Sequence, residues 1–316
     1  MIGLLLVGFA VRRHPAFMGS VTIDMTCDET YVLLNPYLRC TPEEPVKKTE
    51  YTVFKGYLEA YIGEKKRSGA ADTVAVYFRD LENGPWFGIE EDALFSPASL
   101  LKLPVLITYY QRAQLAPQLL EVEIETEGST APSDINIDPA QSLQSGESYT
   151  IEELLRRMIV HSDNAALHLL LSFLTYSSPE EDIFADTLAS MGIAKSEAPT
   201  DDFLTVKRYS AFYRALYNAS YLNKEMSQKA LHLLTQTTFH QGIDDGVPEG
   251  IPVAHKYGIR RQDESVQLHD CGIVYYPETH YLLCIMTRGK DTDALSSMIR
   301  EIAAMVHAEV VLRNGQ

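Results

Sequence analysis

The 316-residue chain is 46% hydrophobic and 22% charged, a globular composition long enough for two ordinary domains or one large composite one. Lys and Arg number 27 against 43 for Asp and Glu, and the resulting net charge of -16 repels phosphate backbones, which argues against a nucleic-acid partner. The four cysteines, Cys27, Cys40, Cys271 and Cys284, contain no CxxC and no zinc spacing.

Residues 1–11 carry no charge and are followed by Arg12, Arg13 and His14. A membrane-spanning helix needs about 20 apolar residues, so this run is too short as it stands. Its basic residues also lie on the wrong side for exporting the rest of the chain. Two readings stay open: a buried N-terminal segment, or the tail of an export anchor that would tether the protein to a membrane. Residues 41–50 place two prolines among charges and read as a linker, which sets an N-terminal segment, 1–48, apart from a body at 49–316. Cys27 and Cys40 flank a short segment and would close a small loop in an oxidising compartment. Cys271 and Cys284 fall near one another across a hairpin, where buried free thiols are an equally good reading.

In the body, apolar residues at helical spacing (Val53, Tyr57, Tyr61) predict a helix over 53–66. A β-branched and aromatic run predicts a strand over 73–78, turned by Glu82-Asn83-Gly84 into a partner over 86–89. Ser96-Pro97 opens a long apolar helix over 99–114, and the polar, turn-rich stretch 117–148 reads as surface structure. Thr150 and Glu153 form a capping box for a helix ending near Val160. Further helices are expected over 165–174, over 206–217 behind a Thr205 cap, and ending near Thr238. Strands over 252–256, 271–276 and 281–287 precede a closing helix over 292–307.

Strands joined by short hairpins pair antiparallel. The order therefore predicts an α+β fold of three-layer α/β/α type. One antiparallel sheet of about five strands from both chain ends (49–98 and 250–316) is covered by the terminal helices, and a helical subdomain (99–249) fills the middle. A cleft between the two parts is the natural place for a site.

The chain has no GxSxG, GxGxxG, Walker loop or HExxH, and its nine histidines are scattered, so no metal or cofactor is called for. Three other segments stand out. Ser99 and Lys102, three apart at a helix start, project from one face. A lysine desolvated beside leucines can take the proton that makes the serine hydroxyl a nucleophile. Ser162 and Asn164 sit where one helix stops and the next begins, a place for proton relay and for holding a substrate carbonyl, although Ser, Asp and Asn there also serve as caps. His255-Lys256-Tyr257-Gly258-Ile259 ends a predicted strand. There Gly258 would let a ligand approach the backbone, Lys256 would attract a carboxylate, and the Ile259 N–H would donate to an oxyanion.

Each motif alone is weak; in this order they resemble the S-x-x-K, S-D-N and K-T-G set of class A β-lactamases and penicillin-binding proteins. The resemblance runs from about Val53 to the end. It implies Ser99 as the acylated nucleophile, Lys102 as its base, Ser162 as proton donor to the leaving nitrogen and Asn164 as holder of the substrate amide. It also implies Lys256, Tyr257 and Gly258 as the substrate-carboxylate strand, and the N–H groups of Ser99 and Ile259 as the oxyanion hole. The partner implied is a small-molecule β-lactam or peptidoglycan peptide, met outside the cytoplasm, by a monomer.

Two departures matter. Tyr257 replaces the family's hydroxyl residue. Between Met191 and Thr205 there is no Glu-x-x-Leu-Asn to aim a deacylating water. Glu197 is the one glutamate there and the candidate base, with Asp201 and Asp202 nearby. Solvated loop carboxylates are the plainer reading of all three, and Asp202 also offers a cap to the following helix.

Overall fold

The computed structural model describes residues 32–35, 51–82, 84–126, 143–193, 201–277 and 279–314. The apolar run 1–11, Cys27, Cys40, the linker 41–50 and Glu197 lie outside the described residues. Helix α1 (Thr52–Arg67) leads into strands β1 (Thr73–Asp80) and β2 (Trp86–Ile89). A 3-10 turn (Ala98–Leu101) runs straight into helix α2 (Lys102–Ala113). A short ribbon of β3 (Glu123–Glu125) and β4 (Ser148–Thr150) precedes helices α3 (Ile151–Val160), α4 (Asn164–Ser177), α5 (Ile183–Ser190), α6 (Val206–Tyr217) and α7 (Lys224–Leu234). Strands β5 (Val253–Gln262), β6 (Ser265–Tyr276) and β7 (Thr279–Gly289) and helix α8 (Thr292–Asn314) close the chain. Among the described residues, no helix is long and apolar enough to cross a membrane.

The main sheet has the order β2-β1-β7-β6-β5, and every neighbouring pair is antiparallel. The two chain ends thus meet where β1 pairs with β7, as the sequence order predicts. Side chains alternate between the two faces of a strand. On β1, Val74, Val76 and Phe78 pack with Leu58, Met298 and Ile302 of the terminal helices. Ala75 and Tyr77 pack the other way, into the core shared with α2, α3 and α6. Both sheet faces are therefore dry, and α2 lies deepest, with ten of its side chains buried.

Local chemistry explains the boundaries. The Thr150 side chain accepts from Glu153 N at 3.2 Å, as the capping box requires. The Glu153 carboxylate does not return the bond but is held by Arg156 and Arg157. Thr205 caps α6 by accepting from Arg208 N, so Asp202 is not the cap. Asp202 instead pairs with Arg288 at 2.6 Å and accepts from Gln267 at 3.0 Å. The stretch predicted as irregular surface holds β3 and β4, and α5 falls where no helix was expected.

The largest correction concerns β5 and β6. Both run further than the sequence predicts, because the polar residues Arg260, Arg261, Gln262, Ser265 and Gln267 are laddered in register across the hairpin. In β6 and β7, Cys271 and Cys284 stand directly opposite, Cα atoms 3.9 Å apart, and are joined as a disulfide rather than free thiols.

Candidate active site

The Ser99 turn is fixed from the sheet. Ser96 N donates to Gln267 Oε1 at 2.9 Å, and Arg260 Nη1 donates to Ser96 Oγ at 2.9 Å. Burial pushes the His269 imidazole down to about 4, so the ring is neutral. Its Nδ1 accepts from Thr287 N at 3.3 Å, which leaves Nε2–H to donate to the Ser96 carbonyl at 2.9 Å. On the far side, the buried Tyr209 hydroxyl donates to Leu100 O at 3.0 Å.

Two non-glycine residues at the site adopt left-handed backbone: Ala98, just before Ser99, at φ 46°, and Ser162 at φ 58°. Such residues cost about 1–2 kcal/mol each and persist where surrounding contacts over-determine them. In the junction between α3 and α4 the duties are divided. Asp163 does the capping, accepting from Ala165 N and Ala166 N. Ser162 and Asn164 are thereby left to face the lysines.

Lys102 is fully buried and donates to the Ser162 carbonyl, to Ser162 Oγ at 3.0 Å and to Asn164 Oδ1 at 2.6 Å. These three acceptors match the three N–H donors of an ammonium. Lys256, also fully buried, donates to the same Ser162 Oγ at 3.0 Å. Burial, and then the charge of Lys102, push the Lys256 amine well below the usual lysine range, with Asp270 acting the other way. One hydroxyl thus stands between two buried amines, one of which is driven towards its neutral form.

Ser99, Lys102, Asn164 and Ile259 line one cavity of about 440 Å³, closed by Leu101, Leu167, Phe203, Asp201 and Arg260. Lys256 lies behind Ser162 rather than among these lining residues. Its Nζ is 4.3 Å from the Tyr257 ring centroid, and that ring stacks on Phe239 at 4.0 Å. Gly258 also answers a packing need. A Cβ there would lie 3.1 Å from Pro97 O and 3.2 Å from Leu100 N, so the glycine admits the turn that carries Ser99.

The motifs did not point to Arg260. It stands two and four residues from Gly258 and Lys256, on the same face of β5, and would have been found had the strand been carried past Gly258. Asp201 is engaged by Arg260 Nη2 at 2.5 Å, an exposed pair across the cavity mouth.

A family model described as the beta-lactamase enzyme family matches residues 55–310. The chain belongs to that family. The match covers both halves of the sheet and all the helices that carry site residues, so the family's serine-hydrolase framework spans the whole body. Solved structures share the family fold. A mutant of PBP-A, an acyl-enzyme complex with penicillin G, is 18% identical with a TM-score of 0.69, covering 85% of this chain and 99% of that one. A beta-lactamase from Sphaerobacter thermophilus is 22% identical with a TM-score of 0.68 (84% and 98%). One from Chitinophaga pinensis is 17% identical with a TM-score of 0.69 (80% and 99%). No curated protein sequence matches the chain.

Proposed function

We propose that this family member is a serine hydrolase that is acylated at Ser99 by a β-lactam or a related cell-wall amide. The observation that carries the reading is the Lys102–Ser162–Lys256 chain, with both amines 3.0 Å from Ser162 Oγ, beside a cavity that also exposes Ser99.

The chemistry follows from these positions. Ser99 Oγ attacks the amide carbonyl carbon and its proton passes to the Lys102 amine, which must first be neutral. The oxyanion is held by the N–H groups of Ser99 and Ile259. A proton moves through Ser162 Oγ to the leaving nitrogen, the C–N bond breaks, and an ester remains on Ser99. Asn164 holds the substrate amide from the opposite wall. Lys256 supports the transfer by accepting or returning charge at Ser162.

Deacylation is the slow step in this reading. Among the described residues, Asp201 is the one carboxylate lining the cavity, and it is engaged by Arg260 in an exposed pair at the cavity mouth. Glu197 remains the candidate water-activating base; a Glu197→Gln variant with unchanged deacylation would remove it. Slow turnover also favours a second reading, a D-Ala-D-Ala peptidase that β-lactams inhibit. The disulfide between two central strands supports a location outside the cytoplasm, where such bonds persist.

Incubation with a chromogenic cephalosporin and with a peptide ending in D-Ala-D-Ala tests the proposal. Hydrolysis of the first supports a β-lactamase, and D-alanine release blocked by penicillin supports the peptidase. Neither reaction, with no label on Ser99, would contradict both.

A further inference from the structure

One row of side chains crosses four strands of the main sheet. Lys256 of β5 stands directly opposite Cys271 of β6, Cys271 opposite Cys284 of β7, and Cys284 opposite Tyr77 of β1. Residues placed directly opposite share a face, with Cβ atoms about 4.5–5.5 Å apart. Cys271, Cys284 and Tyr77 all belong to the core shared with α2, and Lys256 points the same way to reach Ser162. Lys256 and both cysteines are fully buried. The disulfide therefore lies in line with the Lys256 stem, on the side of the sheet that carries the site.

Within the sheet, Lys256 has little other lateral support. β5 is an edge strand, so β6 is its one neighbour. The residues two positions away on the same face of β5 are Ala254 and Gly258, the first with a single methyl group and the second with no side chain. The amine itself is held by few bonds. It donates to Ser162 Oγ at 3.0 Å and to Tyr257 O at 3.4 Å, and makes no ion pair among the described residues. Neither acceptor is charged. The place of the amine thus depends on how its stem packs, and the side chain directly across from that stem is the sulfur bridge.

We propose that the Cys271–Cys284 disulfide is a positioning group of the Ser99 centre: besides cross-linking the hairpin, it supports the Lys256 stem and so sets the amine at Ser162 Oγ. The inference rests on acylation at Ser99, with Lys256 assisting the transfer through Ser162. Removing both sulfurs leaves a cavity on the flank of the stem, because the laddered strands around it collapse only in part. The stem moves into that space and the amine leaves its place at the shared hydroxyl. A misplacement of about 1 Å in a reacting constellation can cost on the order of a hundredfold in rate.

Rate constants for acylation by penicillin G, followed by quenched intact-mass spectrometry and corrected for folded fraction, test this in the wild type and two variants. Cys271→Ala with Cys284→Ala loses both the cross-link and the support, and is expected to acylate at least tenfold more slowly than the wild type. Cys271→Val with Cys284→Ala also lacks the cross-link but refills the place beside Lys256. It is expected to recover most of the rate while its urea midpoint stays below that of the wild type. Equal rates in the two variants, whether slow or at the wild-type level, overturn the inference while penicillin still labels Ser99. Should the alanine pair not fold, the valine variant decides alone: a near wild-type rate supports the inference, and a tenfold loss overturns it. No adduct on Ser99 of the wild type overturns the acylation reading and this inference with it.

Discussion

Ser162 carries the densest set of demands in the molecule. Its backbone is left-handed, its carbonyl and hydroxyl both accept from Lys102, and the hydroxyl also accepts from Lys256. Two buried ammonium groups sharing one acceptor repel, and burial first, then the Lys102 charge, push the Lys256 amine down. Lys102→Ala is therefore expected to abolish acylation of Ser99, with loss beyond a thousandfold, while near-UV circular dichroism stays native. It should also return Lys256 towards the ordinary lysine range, since the Lys102 charge is one of the two causes lowering it. Acylation at the wild-type rate in that variant would show that the base is another group. In the fold Lys102, Ser162 and Asn164 meet and Ser99 lines the same cavity; each short pattern was weak alone, and it was their order, read through the family resemblance, that grouped them. The capping by Asp163 that frees its neighbours was legible as well, although as the competing reading of the same four residues.

At the scale of elements, β5 and the 3-10 turn form one unit held together by the absence of a side chain at Gly258. Gly258→Ala introduces a Cβ 3.1 Å from Pro97 O and 3.2 Å from Leu100 Cγ, which pushes the turn off the strand. We expect a stability cost of about 1–3 kcal/mol, the usual range for overpacking. The acylation rate should fall more than tenfold, because the Ser99 and Ile259 N–H groups no longer converge; stopped-flow labelling at constant folded fraction separates the two. An unchanged rate would place the oxyanion donors elsewhere. This unit is also where the sequence was least legible. Charged residues after Gly258 read as a turn, because hydrophobic alternation stops there. In the fold they continue a strand whose ladder and ion pairs, Arg260 with Asp201 among them, need no apolar face. The short helix α5 and the β3–β4 ribbon were missed for a related reason: three-residue strands and an eight-residue helix offer too few periods to count.

At the scale of the whole molecule, stability and pH are coupled through buried histidines. His269 has a folded value of about 4 against an ordinary 6.5, and burial lowers His161 and His307 as well. Below 6.5 the unfolded chain takes up protons that the native state refuses, so stability falls as pH drops from 6.5 to about 4. His269 alone accounts for roughly 3 kcal/mol of that loss, at about 1.36 kcal/mol for each pH unit between its folded and unfolded values. Urea unfolding at both ends of the window should show it, and His269→Gln should flatten it; equal slopes in the two proteins would reject the assignment. The cross-strand disulfide closes a loop of 13 residues, which corresponds to about 3 kcal/mol in the chain-entropy account. Replacing Cys271 and Cys284 together by alanine should lower the unfolding free energy by about that amount, measured under the same denaturant; no change would mean that the hairpin is fully specified without it.

The proposed function makes the Ser99 hydroxyl the group acylated. Intact-mass spectrometry after brief exposure to penicillin G tests that most directly. The expected result is a single adduct of the intact drug on Ser99 that persists long after free drug is removed and is lost in Ser99→Ala. An unmodified protein, or an adduct that survives Ser99→Ala, would contradict it.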